Sequence, residues 1–233
     1  MCFVGRQREM QKLVRALERG RHVIVSGTYG SGRTRMVRQA AADDTKGRRF
    51  VFTDFSKTPG EVCGSLLAAF RPETASGRPV RSARYRVGRS LLAGMRLPEG
   101  SKPVIVLDNL GRLTRQKLSF LRDLNMENHY LFIAIVESFL PERSLFLLRA
   151  CLFPSETIAL GHLPIRDVCD YFQRLADRHG LGAATDDLLA LARATGGYPL
   201  GMRETAERLL NRNKGNPEPS SPGERGESTW EPT

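Results

Sequence analysis

Residues Val23 to Thr34, Val-Ile-Val-Ser-Gly-Thr-Tyr-Gly-Ser-Gly-Arg-Thr, constrain this chain more than any other stretch. Four residues of strand character run into G-x-x-x-x-G-[K/R]-T, and a helical pattern follows at once. That order is the P-loop pattern, with arginine where lysine is usual. The chemistry needs these residue types. Glycines let successive backbone N–H groups converge on an anion, and the next helix presents its positive dipole end to the same point. Gly27, Thr28, Tyr29, Gly30, Ser31, Gly32, Arg33, Thr34 and Arg35 therefore form the candidate cradle for a nucleoside triphosphate. Thr34 would offer a hydroxyl to Mg²⁺, and Arg33 would neutralise the outer phosphates. ATP and Mg²⁺ are the expected ligands.

The periodicity around this motif predicts an α/β chain. An amphipathic helix with Met10, Leu13, Val14 and Leu17 on one face precedes a strand over 22–26. Further strands are expected over 49–54, 103–108, 130–136 and 157–160. Helices are expected over 33–42, 60–70, 82–96, 114–124 and 141–150 between them. Alternation at this spacing argues for a five-stranded parallel sheet flanked by helices, a P-loop NTPase fold with the loop at the carboxyl end of the first strand. From residue 164 the pattern is wholly helical, over 164–179, 185–195 and 199–213. The expected organisation is a nucleotide-binding domain over 1–161, a small helical lid over 162–213, and a disordered Pro/Gly/Ser-rich tail over 214–233 that includes Trp230.

Asp108 ends the unbroken apolar run Val104-Ile-Val-Leu107, where a carboxylate is costly unless it serves a cation. With Thr34 it is the candidate Mg²⁺ ligand. Asn109 follows, where many ATPases of this layout place a glutamate. An amide can orient a water but cannot take its proton at neutral pH. Arginine at 33 also changes the geometry near the last phosphate, because guanidinium is planar and forked. Slow or partner-dependent hydrolysis is expected. Glu137, after the fourth strand, is the candidate that partly replaces the missing carboxylate.

The chain has 36 Lys and Arg against 25 Asp and Glu, for a formal net charge of +11. Glu218, Glu224, Glu227 and Glu231 oppose only Lys214 and Arg225 in the tail, so the body before it stands at +13. Such a balance favours polyanions, with nucleic acid first, although an arginine-rich codon bias would produce it too. Arginines crowd residues 71–96, and Arg78, Arg81, Arg84, Arg86 and Arg89 are the candidate DNA-phosphate contacts. Cys2, Cys63, Cys151 and Cys169 lack metal-ligand or disulfide-framework spacing and read as reduced thiols. With no membrane-length apolar run and no signal-peptide pattern, the expected compartment is the cytoplasm.

Together the opening Phe3-Val-Gly-Arg-Gln-Arg-Glu, the P-loop, Asp108, the polar strand end at 137–138 and Gly196-Gly-Tyr-Pro199 resemble the AAA+/STAND ATPases. Origin-initiator-like and transposition-regulator ATPases are the most similar groups, and the resemblance covers about residues 3–210. It implies that Val4 and Gly5 edge the adenine pocket, and that Tyr198, Pro199 and Arg203 close on the nucleotide from the lid. It also implies that Arg143 or Arg149 reaches a neighbouring subunit's γ-phosphate, and that the ATP state oligomerises. Three functions follow from these features. One is an ATP-gated, oligomerising DNA-binding regulator or assembly factor. The others are a STAND-type switch acting on a protein partner, and a degenerate P-loop protein that binds nucleotide without hydrolysing it.

Overall fold

The computed structural model describes residues 3–70, 82–95, 102–182 and 184–214. Five strands, β1 (His22–Gly27), β2 (Phe50–Asp54), β3 (Val104–Leu110), β4 (Leu131–Glu137) and β5 (Ser155–Leu160), form one sheet in the order β2-β3-β4-β1-β5. All four pairings are parallel. Helices α1 (Gln7–Glu18) and α2 (Arg33–Ala42) cover one face. Helices α3 (Pro59–Phe70), α4 (Ser82–Ala93), α5 (Arg115–Met126) and α6 (Glu142–Cys151) cover the other. The five-stranded parallel α/β architecture expected from the alternation is the one observed.

The side-chain alternation of a strand sorts the two cores. Val104 and Val106 pack with α1 and α2, whereas Ile105 and Leu107 face α3 to α6. β4 does the same with Ile133 and Ile135 against Phe132 and Ala134. Both faces are covered, which is why β3 and β4 read as continuous apolar runs rather than alternating ones. Leu13, Ala16 and Leu17 bury the inner face of α1, while Met10 and Val14 lie at its margin. Lys117 of α5 is itself buried, and its ammonium donates to the Phe55 carbonyl oxygen at 2.6 Å, tying α5 to the turn after β2.

Three further helices, α7 (Ile165–His179), α8 (Thr185–Thr195) and α9 (Pro199–Lys214), bury a third cluster around Val168, Phe172, Leu188 and Met202. Gly196 and Gly197, both at positive φ, turn the chain from α8 into α9. A Cβ at residue 197 would collide with the Leu163 carbonyl oxygen, so the close approach requires glycine. Leu163 N–H donates to the Gly197 carbonyl oxygen at 2.8 Å, which holds this turn against the chain leaving β5. Of the tail expected over 214–233, Lys214 belongs to α9, and the rest, with Trp230, lies outside the described residues, as do Cys2, Arg71, Arg78, Arg81 and Arg96.

Two strands extend two residues beyond an expected end: β5 begins at Ser155 rather than at 157, and β3 runs past 108. β3 does not end at Asp108 but continues to Leu110, because its register against β4 slips between Leu107 and Leu110. The extra residue forms a local irregularity, and Asn109 adopts φ +56° within it. A bulge of this kind re-aims side chains at a strand end.

Candidate nucleotide-binding site

A cavity of about 550 Å³ opens where the P-loop, the carboxyl ends of β3 and β4, and the start of α9 converge. Topology puts it there. β1 lies between β4 and β5, so the loop leaving β1 emerges beside Glu137, which is in register with Gly27. Gly30 and Gly32 take φ +73° and +86°, turning the loop so that its amides precede α2. Ser31 is almost wholly buried, and its hydroxyl has no hydrogen-bond partner among the described residues. An unsatisfied donor in a glycine-rich turn at a helix N-terminus is a fit for an anion.

Thr34 Oγ1 donates to Asp108 Oδ1 at 3.0 Å, and the Asn109 backbone N–H donates to the same oxygen at 2.9 Å. The hydroxyl and carboxylate named from sequence are thus neighbours, although 74 residues separate them. Among the described residues no group of three or more His, Cys, Asp or Glu side chains could hold a metal ion. A divalent ion at Thr34 and Asp108 would complete its shell with phosphate oxygens and water, as Mg²⁺ prefers.

Arg33 is engaged by the protein itself. Its guanidinium donates to the Val136 carbonyl oxygen and pairs with Glu137 Oε1 at 3.3 Å. Asn109 points its amide at Asp54, with Nδ2 donating to Oδ1 at 3.3 Å. Asp54 is held below the usual carboxylate range first by the Ser56 hydrogen bonds and then, more weakly, by Asn109.

The helical segment closes the other wall. Tyr198 donates its hydroxyl to the Tyr29 carbonyl oxygen at 2.5 Å. A Cβ on Gly30 would stand 2.6 Å from that hydroxyl oxygen and 2.8 Å from Leu200 Cβ. Pro199 and Arg203 line the cavity, and Arg203 Nε donates to Glu207 at 2.9 Å on an exposed face. Val4, Tyr29, Gly32 and Arg35 line it as well. Gly5, Gly27 and Thr28 support it from outside the lining: Gly27 packs under Ser31, and Gly5 packs against Asp167 of α7.

Arg6 was not singled out from the sequence. It is buried at φ +67°, and its guanidinium donates to the Gly161 and Ser31 carbonyl oxygens while pairing with Glu9 at 3.0 Å. It fastens the P-loop to the end of β5. Phe3, Leu163, Tyr171 and Met202 add apolar wall. The opening Phe3-Val-Gly-Arg pointed to the place, but the reach of Arg6 across 155 residues is a tertiary fact.

Arg143 and Arg149 are exposed on α6 and do not line the cavity. Arg86 is exposed on α4, whereas Arg89 pairs with Asp123 of α5 at 2.9 Å and lies over the Tyr85 ring. Arg84 falls within α4, and its side chain lies outside the described residues. Cys63, Cys151 and Cys169 are free thiols; burial raises Cys63 to about 11, which keeps it protonated and inert. No helix among the described residues is long and apolar enough to cross a membrane.

Comparison with known proteins agrees with this geometry. None of the curated proteins matches the chain. The fold is similar to the Aeropyrum pernix Orc1 protein, solved in complex with DNA, at a TM-score of 0.70 and 14% identity, covering 93% of this chain and 62% of that one. It is also similar to the Thermotoga maritima RuvB Holliday junction branch migration motor, at a TM-score of 0.59 and 18% identity, covering 91% of this chain and 64% of that one. A point variant of the same RuvB gives 0.60 and 17% at the same coverage. The chain therefore spans a little under two thirds of the length of each, and at these identities the likeness is one of fold. The profile of the AAA domain matches residues 15–137, from α1 through the P-loop and Asp108 to Glu137, and on that match the chain belongs to the AAA domain family.

Proposed function

We propose that this protein binds ATP with Mg²⁺ and acts as an ATP-gated, oligomerising DNA-binding regulator or assembly factor that hydrolyses its nucleotide slowly. The observation that carries the reading is the meeting of Thr34 and Asp108 at 3.0 Å on the floor of a cavity whose rim is the P-loop. The P-loop amides and the N-terminus of α2 would receive the phosphates, with Ser31 below them. Val4 and the apolar wall would take the base, with Gly5 behind them, and Pro199 and Arg203 would cover it from the helical lid of residues 162–213. Magnesium, when bound, supplies the charge that offsets the outer phosphates.

Slow hydrolysis follows from what the chain's own groups are doing. Asn109 cannot accept a proton and is turned toward Asp54. Glu137, the alternative base that the sequence offers, is already paired with Arg33 at 3.3 Å rather than free to meet a water. Arg149 would act on a neighbouring copy, and Arg78, Arg81, Arg84, Arg86 and Arg89 would supply phosphate contacts to duplex DNA. The DNA clause draws support from the charge of +11 and from the fold shared with Orc1, a protein solved on DNA. A cytoplasmic location fits this role.

Calorimetry with MgATP tests the reading. Saturable binding that Asp108→Ala weakens is expected, and no heat of binding would overturn it. Turnover by the protein alone at several per second would contradict slow hydrolysis. Gel-shift assays with and without ATP, on wild type and on a variant with Arg84 and Arg86 changed to Glu, test the DNA clause.

A further inference from the structure

The outer face of α1 carries a feature that the nucleotide site does not use. Arg8, Lys12, Arg15 and Arg19 recur at spacings of four, three and four, and all four are exposed. At 3.6 residues per turn this places them within an arc of about 60°, along about 17 Å of helix axis. None of the four side chains has a hydrogen-bond or ion-pair partner among the described residues. The acids that could neutralise the stripe are engaged elsewhere: Glu9 pairs with Arg6 at 3.0 Å, and Glu18 pairs with Lys46 at 3.2 Å. A solvated helix face ordinarily intersperses both signs, at (i, i+4) where possible. Here four cations stand in a row, each adding to the field of the next.

We infer that this stripe is a docking surface for the phosphate backbone of duplex nucleic acid, on the sheet face opposite α4 and its arginines. A membrane-surface helix would keep its apolar side free for lipid. α1 instead buries Leu13, Ala16 and Leu17 in the core, and none of the exposed large apolar residues belongs to it. What remains outward is polar, with Gln7 and Gln11 beside the four cations, and it is suited to a polyanion and blind to its sequence. The inference shares with the proposed function only the premise that the partner is nucleic acid, and it needs no bound nucleotide.

The test is fluorescence anisotropy of a random-sequence duplex against salt, without ATP. Wild type is compared with Arg8→Gln/Lys12→Gln, with Arg15→Gln/Arg19→Gln and with the fourfold variant. Each pair should weaken binding about tenfold at 0.1 M salt. The fourfold variant should lower the slope of log K against log salt by about 3.6, since each of the four lost phosphate contacts removes about 0.9. A variant with the three arginines changed to Lys should bind like wild type. Unchanged affinity and slope in the fourfold variant would overturn the inference, as would wild type that ignores DNA while binding phosphatidylserine vesicles. Neither outcome touches nucleotide binding, which calorimetry reads separately.

Discussion

Arg33 and Glu137 form an ion pair at 3.3 Å between the first residue of α2 and the last residue of β4. The pair exists because β1 and β4 are neighbours and Gly27 is in register with Glu137. It occupies the cation that stands where a P-loop usually carries lysine. A ligand that recruits Arg33 must therefore compete with a carboxylate of the same chain, and with the Val136 carbonyl oxygen behind it. Lysine, with a compact ammonium, could not hold both oxygens through one planar fork.

Glu137→Gln should free Arg33 for the phosphates. The pair is partly shielded, so roughly 1 kcal/mol is at stake, and MgATP should bind about fivefold more tightly. Calorimetry measures it, and equal or weaker binding would show that the pair does not restrain the site. Single-turnover hydrolysis by the same variant asks whether Glu137 also serves the chemistry, which an unchanged rate would exclude.

Thr34→Ala removes the hydroxyl that meets Asp108 without disturbing α2, since alanine is a good helix former. Magnesium-dependent nucleotide affinity should fall at least tenfold, about 1.4 kcal/mol, while Thr34→Ser should retain it. Titrations with and without EDTA separate this effect from a general weakening.

Gly30→Ala would place a Cβ against Tyr198 and Leu200 in a backbone conformation that L-residues avoid. The expected cost is about 1–3 kcal/mol in thermal unfolding, with weaker nucleotide binding as the helical wall is pushed off the loop. Gly47→Ala, at a similar φ but with open space around it, should cost only about 1 kcal/mol and leave binding intact.

His22 is buried in β1 and accepts the Phe132 backbone N–H at Nδ1, 3.1 Å away. Burial is the main reason its pKa drops from 6.5 to about 4. The unfolded chain therefore binds a proton that the native state refuses. Stability from this group is complete above pH 6.5 and declines as pH falls from 6.5 to about 4, by roughly 3 kcal/mol in all. His22→Asn keeps an acceptor and cannot titrate. Denaturant melts between pH 4 and 7 should show a flatter slope for it, and parallel slopes would refute the assignment.

Local chemistry carried much of this molecule. Strand-forming runs, the P-loop glycines and the period of α1 are written in near neighbours, so the five strands and the helices between them were legible to within a few residues. The place of Asp108 was legible for a similar reason, since it follows four buried apolar residues of β3. What the tertiary structure alone decided are the meetings between distant residues: Arg33 with Glu137, Arg6 with the carbonyls of Ser31 and Gly161, Tyr198 with Tyr29, and the slip in β3 that turns Asn109 toward Asp54. These depend on strand order and on register across the sheet, and pair geometry over a hundred residues leaves no periodic trace in the chain. Sequence spacing named the groups able to hold a phosphate; the parallel sheet determined which of them are already bound to one another.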